Sequence, residues 1–183
     1  EGVPLTNLDA PLFDGAGVVK RDLVDYVDAM SARILPVLRD RPLSVIRVTG
    51  DEPFMQKNVP KHAPDWIATV SVWADASKRT VHYALCNDRR TLLWFANQRA
   101  VEFHPTLARA SHLDRPTAVV LDLDPPADAG FAVVVRVARA VREALADVGL
   151  AGAVKTSGAK GVHVFVPVAP GTRGDDAAAA ARR

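Results

Sequence analysis

Apolar side chains recur at spacings of three and four residues over 22–40, which places them on one face of an α-helix. The stripe consists of Leu23, Val27, Met30, Ile34 and Leu38. The pattern predicts a helix there, with Pro36 bending its last turn because proline cannot donate a backbone hydrogen bond. Helices are also predicted over 91–101 and over 131–148, the second of which Gly149 would end.

Short apolar runs rich in β-branched residues predict strands between these helices. They lie at 43–48, 69–73, 80–85, 117–124, 153–156 and 162–168. The stretch 50–64 instead contains prolines, lysines and a histidine, so it predicts a loop with a basic surface. Strands and helices mixed in this way indicate the α+β fold class.

Composition and charge narrow the range of functions. The 183 residues are 49% apolar and 24% charged, which is typical of a globular domain large enough to bury a core. The single cysteine, Cys86, excludes a disulfide scaffold. No apolar run reaches the ~18–20 residues that would cross a bilayer, and no signal peptide is visible, so we expect a cytoplasmic protein without a membrane partner. The formal net charge is only +2, so nucleic-acid binding would have to rest on a local patch.

The run 117–124 ends in two acidic residues, Asp122 and Asp124, which the alternation of a strand places on the same face. Their carboxylates would repel each other unless a cation lies between them, and Mg²⁺ or Mn²⁺ prefers such oxygen ligands. Two ions ~3.5–4 Å apart would activate an attacking hydroxyl and stabilise a leaving pyrophosphate. The alternative is a pair of acidic residues that simply ends a strand near solvent.

The same string also resembles the aspartate motif of haloacid-dehalogenase-like phosphatases, in which Asp122 would be the nucleophile. Pro126 stands where that motif has threonine or valine, and the string lies about two-thirds of the way along the chain. Both departures count against a phosphatase.

A loop with two glycines joins the last two predicted strands. Residues 157–161 read Ser-Gly-Ala-Lys-Gly, and glycines allow backbone N–H groups to turn toward an anion such as a triphosphate. Ser157 adds a hydroxyl, Lys160 adds a mobile charge, and His163 on the next strand adds a hydrogen-bond donor. The spacing is not that of a Walker A loop, and an ordinary hairpin with a surface lysine is the alternative. Beside the acidic strand, however, the loop predicts a site for metal ions and the phosphates that they bridge.

Together, the motifs L-D-L-D-P-P at 121–126 and K-T-S-G-A-K-G-V-H-V at 155–164 resemble the polymerase domain of bacterial ligase D. That domain is the archaeo-eukaryotic primase-like module of non-homologous end joining, and it also occurs as stand-alone relatives. Further segments that resemble it lie at 5–7, 20–22, 54–57, 63–66 and 93–104. The resemblance covers nearly the whole chain and implies a primase-polymerase-like α+β fold, with mixed or antiparallel sheets flanked by helices.

The function that this resemblance implies is that of a DNA repair polymerase, a nucleotidyltransferase. Such an enzyme adds NTPs or dNTPs to a primer 3′-hydroxyl at breaks or gaps, with Mn²⁺ or Mg²⁺ in a two-metal site. The implied partners are DNA ends or gapped duplexes, an ATP-dependent ligase and a Ku-type end-binding protein. The implied location is the bacterial cytoplasm, in association with the nucleoid.

Individual residues match the catalytic and nucleotide-binding residues of that family. Asp122 and Asp124 match its catalytic, metal-binding carboxylates. The residues that match nucleotide contacts are Ser157, Lys160, His163 and, on the sugar side, His104.

DNA contacts are expected in the first half of the chain. Lys20 matches a lysine that holds the downstream 5′-phosphate. Phe54 and Lys57 fall in a segment that contacts DNA, where an aromatic ring can stack on a base. We assign Lys61 to DNA as well, because it lies in the same proline-bounded loop, which a protein core does not require.

Two departures from the family pattern affect these expectations. Ala10 fills a position where the family has a lysine, so we expect a weaker or rearranged 5′-phosphate pocket. The family's third catalytic carboxylate lies beyond the end of the chain, and Asp175 and Asp176 stand in a different sequence context. We therefore expect an incomplete polymerase domain, with a DNA-contacting part at 1–115 and the start of the catalytic core at 116–183. The alternative is a non-catalytic module that binds DNA ends or nucleotides.

Overall fold

The computed structural model describes residues 2–49, 52–75 and 77–182, and within them the chain forms five helices and eight strands. The helices are α1 (Lys20–Ala29), α2 (Ser31–Leu38), α3 (Arg89–Asn97), α4 (Phe131–Asp147) and α5 (Gly174–Ala180). The strands are β1 (Pro42–Arg47), β2 (Phe54–Gln56), β3 (Thr69–Ala74), β4 (Arg79–Leu85), β5 (Ala100–Pro105), β6 (Ala118–Leu123), β7 (Ala153–Thr156) and β8 (Val162–Pro167). None of these helices combines the length and apolarity that crossing a membrane requires. The chain divides into two compact units, the first ending at Ser111 and the second beginning at His112.

The first unit is built on a five-stranded antiparallel sheet. Its strand order is β2-β1-β4-β3, and β5 also pairs with β1. Leu43 and Val45 of β1 are buried in one core with Leu92 of α3 and with residues of α1. Asp88 caps the N-terminus of helix α3, because its carboxylate accepts a hydrogen bond from the Thr91 N–H at 2.7 Å. This arrangement leaves β2 and the chain that flanks it at one edge of the sheet.

The second unit is a three-stranded antiparallel sheet of order β6-β8-β7, with α4 against it. Along β8 the buried residues Val162 and Val164 alternate with the half-buried His163. A Cβ at Gly152 would touch both Val164 Cγ1 and Leu145 Cδ1 of α4, so the helix covers the valine face. His163 therefore lies on the opposite face of the sheet.

The α+β class and the antiparallel sheets are confirmed, but the helix expected over 22–40 is wrong in its extent. Two helices fill that stretch, because the Met30 carbonyl accepts the N–H groups of both Arg33 and Ile34 and so begins a new helix at Ser31. The apolar stripe continues from α1 into α2 without interruption, so the spacing of its residues does not reveal the break between the two helices.

Two further expectations about the first unit are corrected. The helix expected over 91–101 stops at Asn97, because Arg99 adopts a left-handed φ of 62° and the chain continues as β5. The loop expected at 50–64 contains β2, in which Phe54 pairs with Arg47. Three residues between prolines are too few for a strand pattern to show in the sequence. Residues 50 and 51 of that loop lie outside the described residues.

Candidate active site

The two acidic residues at the end of β6 form one side of the site. Asp122 and Asp124 flank Leu123 and are both exposed. A Cβ at Gly161 would collide with Asp124 Oδ1 and would lie 2.5 Å from the Leu123 carbonyl oxygen. Glycine is therefore required at 161 for the loop between β7 and β8 to lie against Asp124.

The loop 157–161 closes on itself through the Ser157 side chain. The N–H groups of Ala159 and Gly161 donate to Ser157 Oγ at 3.4 and 3.1 Å, and the Ser157 N–H donates to the Gly161 carbonyl at 2.9 Å. Gly158 adopts a φ of 98°, in the left-handed region that favours glycine. Because Ser157 Oγ accepts the loop bonds, its hydroxyl proton can be donated to a ligand, and Lys160 extends into solvent from the same loop.

His163 joins the loop to the acidic strand. It pairs with Asp122 across β8 and β6, and its Nε2 lies 3.4 Å from Asp122 Oδ1. The imidazole also packs edge-on against Phe165, with ring centroids 6.2 Å apart. On its other side, His163 pairs with Lys155 of β7. The ring is thus held beside the carboxylate, where it can donate a hydrogen bond to an oxyanion.

The second unit therefore brings together the carboxylates and the loop that the sequence singled out. The five residues concerned are Asp122, Asp124, Ser157, Lys160 and His163. Within residues 2–49, 52–75 and 77–182, no three His, Cys, Asp or Glu side chains cluster closely enough to hold a metal ion by themselves. Mg²⁺ is commonly bound through one or two carboxylates together with substrate phosphates, and the exposed pair fits that donor set. The residues present suit a divalent cation that is shared with a bound nucleotide.

His104 and Lys20 lie in the first unit. His104 is exposed on β5, with its Nε2 2.9 Å from Glu102 Oε2. Lys20, at the start of α1, is only 5% exposed, and its Nζ donates to the Thr6 carbonyl at 2.7 Å. Burial lowers the pKa of the Lys20 ammonium, and the nearby charge of Arg99 lowers it further. The bond to Thr6 uses one of the three N–H donors of the Lys20 ammonium, so a phosphate that reached Lys20 would bind beside the Thr6 carbonyl.

A groove of about 570 Å³ lies beside β2 in the first unit. Its lining residues are Phe54, Met55, Gln56, Lys57, Asn58 and Arg79. The Arg47 guanidinium lies 5.5 Å from the centroid of the Phe54 ring, and its Nη1 donates to Gln56 Oε1 at 2.7 Å. Arg47 thereby braces the Phe54 ring, and the residue stays 43% exposed. The groove combines apolar surface with two cations, which suits a stacked base and its phosphates, while Lys61 is exposed outside the lining.

Comparison with known proteins identifies the family. The sequence model described as LigD, primase-polymerase domain, matches residues 19–183. The chain belongs to this family. It is 34% identical to the bifunctional non-homologous end joining protein LigD of Bacillus subtilis over 90% of this chain, and 31% identical to the multifunctional LigD of Mycolicibacterium smegmatis over 100% of it. The chain spans 26% and 24% of those two relatives, about a quarter of their length.

A solved structure supports the same assignment. The polymerase domain from Mycobacterium tuberculosis ligase D, in complex with DNA, matches this chain with a TM-score of 0.82 and 33% identity. The match covers 91% of this chain and 61% of that one. The resemblance to the ligase D polymerase domain and the primase-polymerase-like fold are thus confirmed, and nothing in the site favours a phosphatase.

Sequence reasoning missed two basic residues of this chain, Arg79 and Lys155. Arg79 enters the groove because β4 lies against the chain after β2, where the Val59 N–H donates to the His82 carbonyl at 2.8 Å. The sequence around Arg79 contains no pattern that predicts this contact. The position of Lys155, in contrast, could have been predicted from the sequence. Counting outward from the 157–161 turn pairs Lys155 with His163 across β7 and β8. The division of roles at residue 115 and the role of each site residue stay predictions.

Proposed function

We propose that this chain is the nucleotide-transferring part of a DNA repair polymerase, which adds NTPs or dNTPs to the 3′-hydroxyl of a DNA primer at breaks and gaps. The observation that carries the proposal is the meeting of two motifs at one end of the β6-β8-β7 sheet. His163 Nε2 lies 3.4 Å from Asp122 Oδ1, and Gly161 lies directly against Asp124. Membership of the LigD primase-polymerase family supports the same reaction.

Each residue of the site has a role in this reaction. Asp122 and Asp124 would hold divalent cations, and Mn²⁺ or Mg²⁺ bound there would supply positive charge to the reacting phosphate and would lower the pKa of the attacking hydroxyl. Ser157 Oγ and Lys160 bind the phosphates, the first as a hydrogen-bond donor and the second as a mobile charge. His163 donates to a phosphate oxygen and keeps Asp122 in place.

The reaction itself is a displacement at the α-phosphorus. The primer 3′-oxygen forms the new bond to phosphorus and loses its proton to solvent, while the bond to the pyrophosphate oxygen breaks. Pyrophosphate leaves with the electron pair of that bond, and the donors that hold its oxygens stabilise the developing charge.

DNA binding is assigned to the first unit. The related M. tuberculosis domain was solved in complex with DNA. Here the groove beside β2 offers the exposed Phe54 ring for stacking, with Lys57 and Arg79 for phosphates and Lys61 further along the loop. Lys20 would bind a downstream 5′-phosphate with the ammonium N–H donors that the Thr6 carbonyl does not use, and His104 would contact the sugar of the incoming nucleotide.

We also propose the protein partners and the cellular location. The relatives are bifunctional and multifunctional non-homologous end joining proteins. On that basis we assign an ATP-dependent ligase and a Ku-type end-binding protein as partners, with the chain acting at the bacterial nucleoid.

The test is Mn²⁺-dependent extension of a gapped duplex by the full-length protein and by its Asp122→Ala variant. Extension by the full-length protein, and its loss in Asp122→Ala, is the expected result. Asp147→Ala is the matched control, because Asp147 is an exposed carboxylate at the end of α4. Equal extension by the full-length protein and by Asp122→Ala would refute the catalytic assignment. Binding of ends or nucleotides without any extension would identify a binding module instead.

A further inference from the structure

Lys155 occupies a position that the proposed function does not use. Antiparallel pairing sets it directly opposite His163, which is itself directly opposite Asp122. The three residues thus form one row across β7, β8 and β6, on one face of the sheet. Strands lie ~4.7–4.9 Å apart, so the row spans roughly 10 Å from Asp122 to Lys155.

This row lies on the face that α4 leaves open. The buried Val162 and Val164, on either side of His163, point toward the helix, and Lys155 is exposed. A Lys155 side chain on this face extends over the same side of the sheet as the His163 imidazole and the Asp122 carboxylate.

The Lys155 ammonium has no acidic partner among the residues that the structure describes. Its Nζ donates to the carbonyl of the adjacent Thr156 at 3.0 Å, a contact that is itself exposed. Exchanging an exposed carbonyl for a phosphate oxygen costs little desolvation, and a charge-assisted hydrogen bond is roughly twice as strong as a neutral one. Lys155 is therefore ready to bind an anion.

We propose that Lys155 binds the terminal phosphates of the incoming nucleoside triphosphate, on the side of His163 away from Asp122. The inference rests on the proposed function, since it needs a triphosphate whose α-phosphate is near the two aspartates. With Lys160 in the adjoining loop, the terminal phosphates are then held by two lysines, and His163 lies between Lys155 and the carboxylates. This charge also stabilises the pyrophosphate as it leaves.

The assignment separates the phosphates of the nucleotide. A lysine at this end of the row contacts the terminal phosphates, which a nucleoside monophosphate lacks. If Lys155 were only a surface residue of the edge strand β7, its substitution would change the affinities for tri- and monophosphates equally or would change neither.

The test measures binding rather than turnover, by isothermal titration of the full chain with a nucleoside triphosphate in the presence of Mn²⁺. The monophosphate affinity is measured by competition with the triphosphate. The variants are Lys155→Gln and Lys155→Arg, and the control is Arg142→Gln, which removes the same charge from an exposed position on α4. We expect Lys155→Gln to weaken triphosphate binding about tenfold or more, as loss of a hydrogen bond to a charged group does. Lys155→Arg should keep most of the affinity, and monophosphate binding should not change.

Each other outcome is decisive. Unchanged triphosphate affinity in Lys155→Gln overturns the inference but leaves the proposed function standing. An equal loss for tri- and monophosphate, or an equal loss in Arg142→Gln, also overturns it, because the effect would then be general. If the chain with intact Lys155 binds no triphosphate at all, the proposed function fails and the inference fails with it. Thermal unfolding of each variant shows that the folded state is retained.

Discussion

His163 Nε2 lies 3.4 Å from Asp122 Oδ1, and the two residues face each other across β8 and β6. Only 28% of the His163 side chain is exposed, against 64% for Asp122, so the imidazole is the more firmly packed of the two. The histidine therefore restricts where the carboxylate lies, while the carboxylate stays open to ligands.

Replacing His163 tests that relationship. His163→Ala removes a donor to the phosphates and the neighbour that restricts Asp122, so kcat/KM for nucleotide addition should fall by tenfold or more, as for about 1.5–3 kcal/mol of a charged hydrogen bond. His163→Gln retains an N–H donor, so its KM should rise less than that of His163→Ala. His82→Ala, on the exposed face of β4, is the control. Kinetics of His163→Ala that match those of the unmodified chain would contradict the assignment.

Gly161 controls how closely the loop approaches Asp124. In Gly161→Ala the new methyl group meets Asp124 Oδ1 and the Leu123 carbonyl, and the second is backbone that cannot rotate away. Overpacking of this kind costs about 1–3 kcal/mol, so we expect lower thermal stability together with weaker Mn²⁺ binding by titration. Gly130→Ala is the matched control, because its Cβ meets nothing within 4 Å and its φ is −78°. Unchanged Mn²⁺ affinity in Gly161→Ala would show that the loop does not position Asp124.

The groove beside β2 makes two different contributions to DNA binding, which salt separates. Arg79→Gln and Lys57→Gln each remove a phosphate contact, so the dependence of log K on log salt should become shallower by about 1 for each. Phe54→Ala removes a stacking surface worth about 1–3 kcal/mol per base and should weaken single-strand binding without changing that slope. Lys78→Gln, in the turn between β3 and β4, should change neither quantity. A steeper or unchanged slope in Arg79→Gln would exclude Arg79 from the DNA surface.

The candidate site was predictable because it is built from local signals. The acidic pair ends a strand by simple alternation, and the tight turn at 157–161 sets the register of β7 on β8. What the sequence does not contain is the choice of β6 as the second neighbour of β8, since strand order depends on contacts between distant segments. That choice is what places Asp122 beside His163 and Gly161 against Asp124.

The parts of the fold that escaped prediction have similar causes. β5 begins directly after Arg99, whose left-handed conformation is stabilised by its own side chain, which donates to the carbonyls of Val48 and Pro11. β2 forms only because β1 offers it an edge. In both places contacts with a distant segment determine the local structure, so the pattern of apolar residues within the segment does not predict it.

Lys20 donates to the Thr6 carbonyl and is also assigned to the downstream 5′-phosphate of DNA, and stability and binding measurements distinguish these two roles. Lys20→Met removes the bond to the Thr6 carbonyl and should lower the free energy of unfolding by about 1 kcal/mol. It should also remove any preference for 5′-phosphorylated over 5′-hydroxyl ends in a competition binding assay. Ala10→Lys, which restores the family's lysine beside Lys20, should increase that preference. If Lys20→Met loses stability but keeps the preference, Lys20 is purely structural.

Cys86 predicts how stability changes at alkaline pH. Burial, with a smaller contribution from the charge of Asp88, raises the pKa of its thiol from 9.0 to about 12. As the pH rises past 9, the unfolded chain loses this proton while the folded chain keeps it, so ionisation favours unfolding. Between pH 8 and 10 the urea-derived free energy of unfolding should therefore fall by about 1.4 kcal/mol more in the unmodified chain than in Cys86→Ala. The two chains share every other titrating group, so equal decreases would show that Cys86 ionises as readily folded as unfolded.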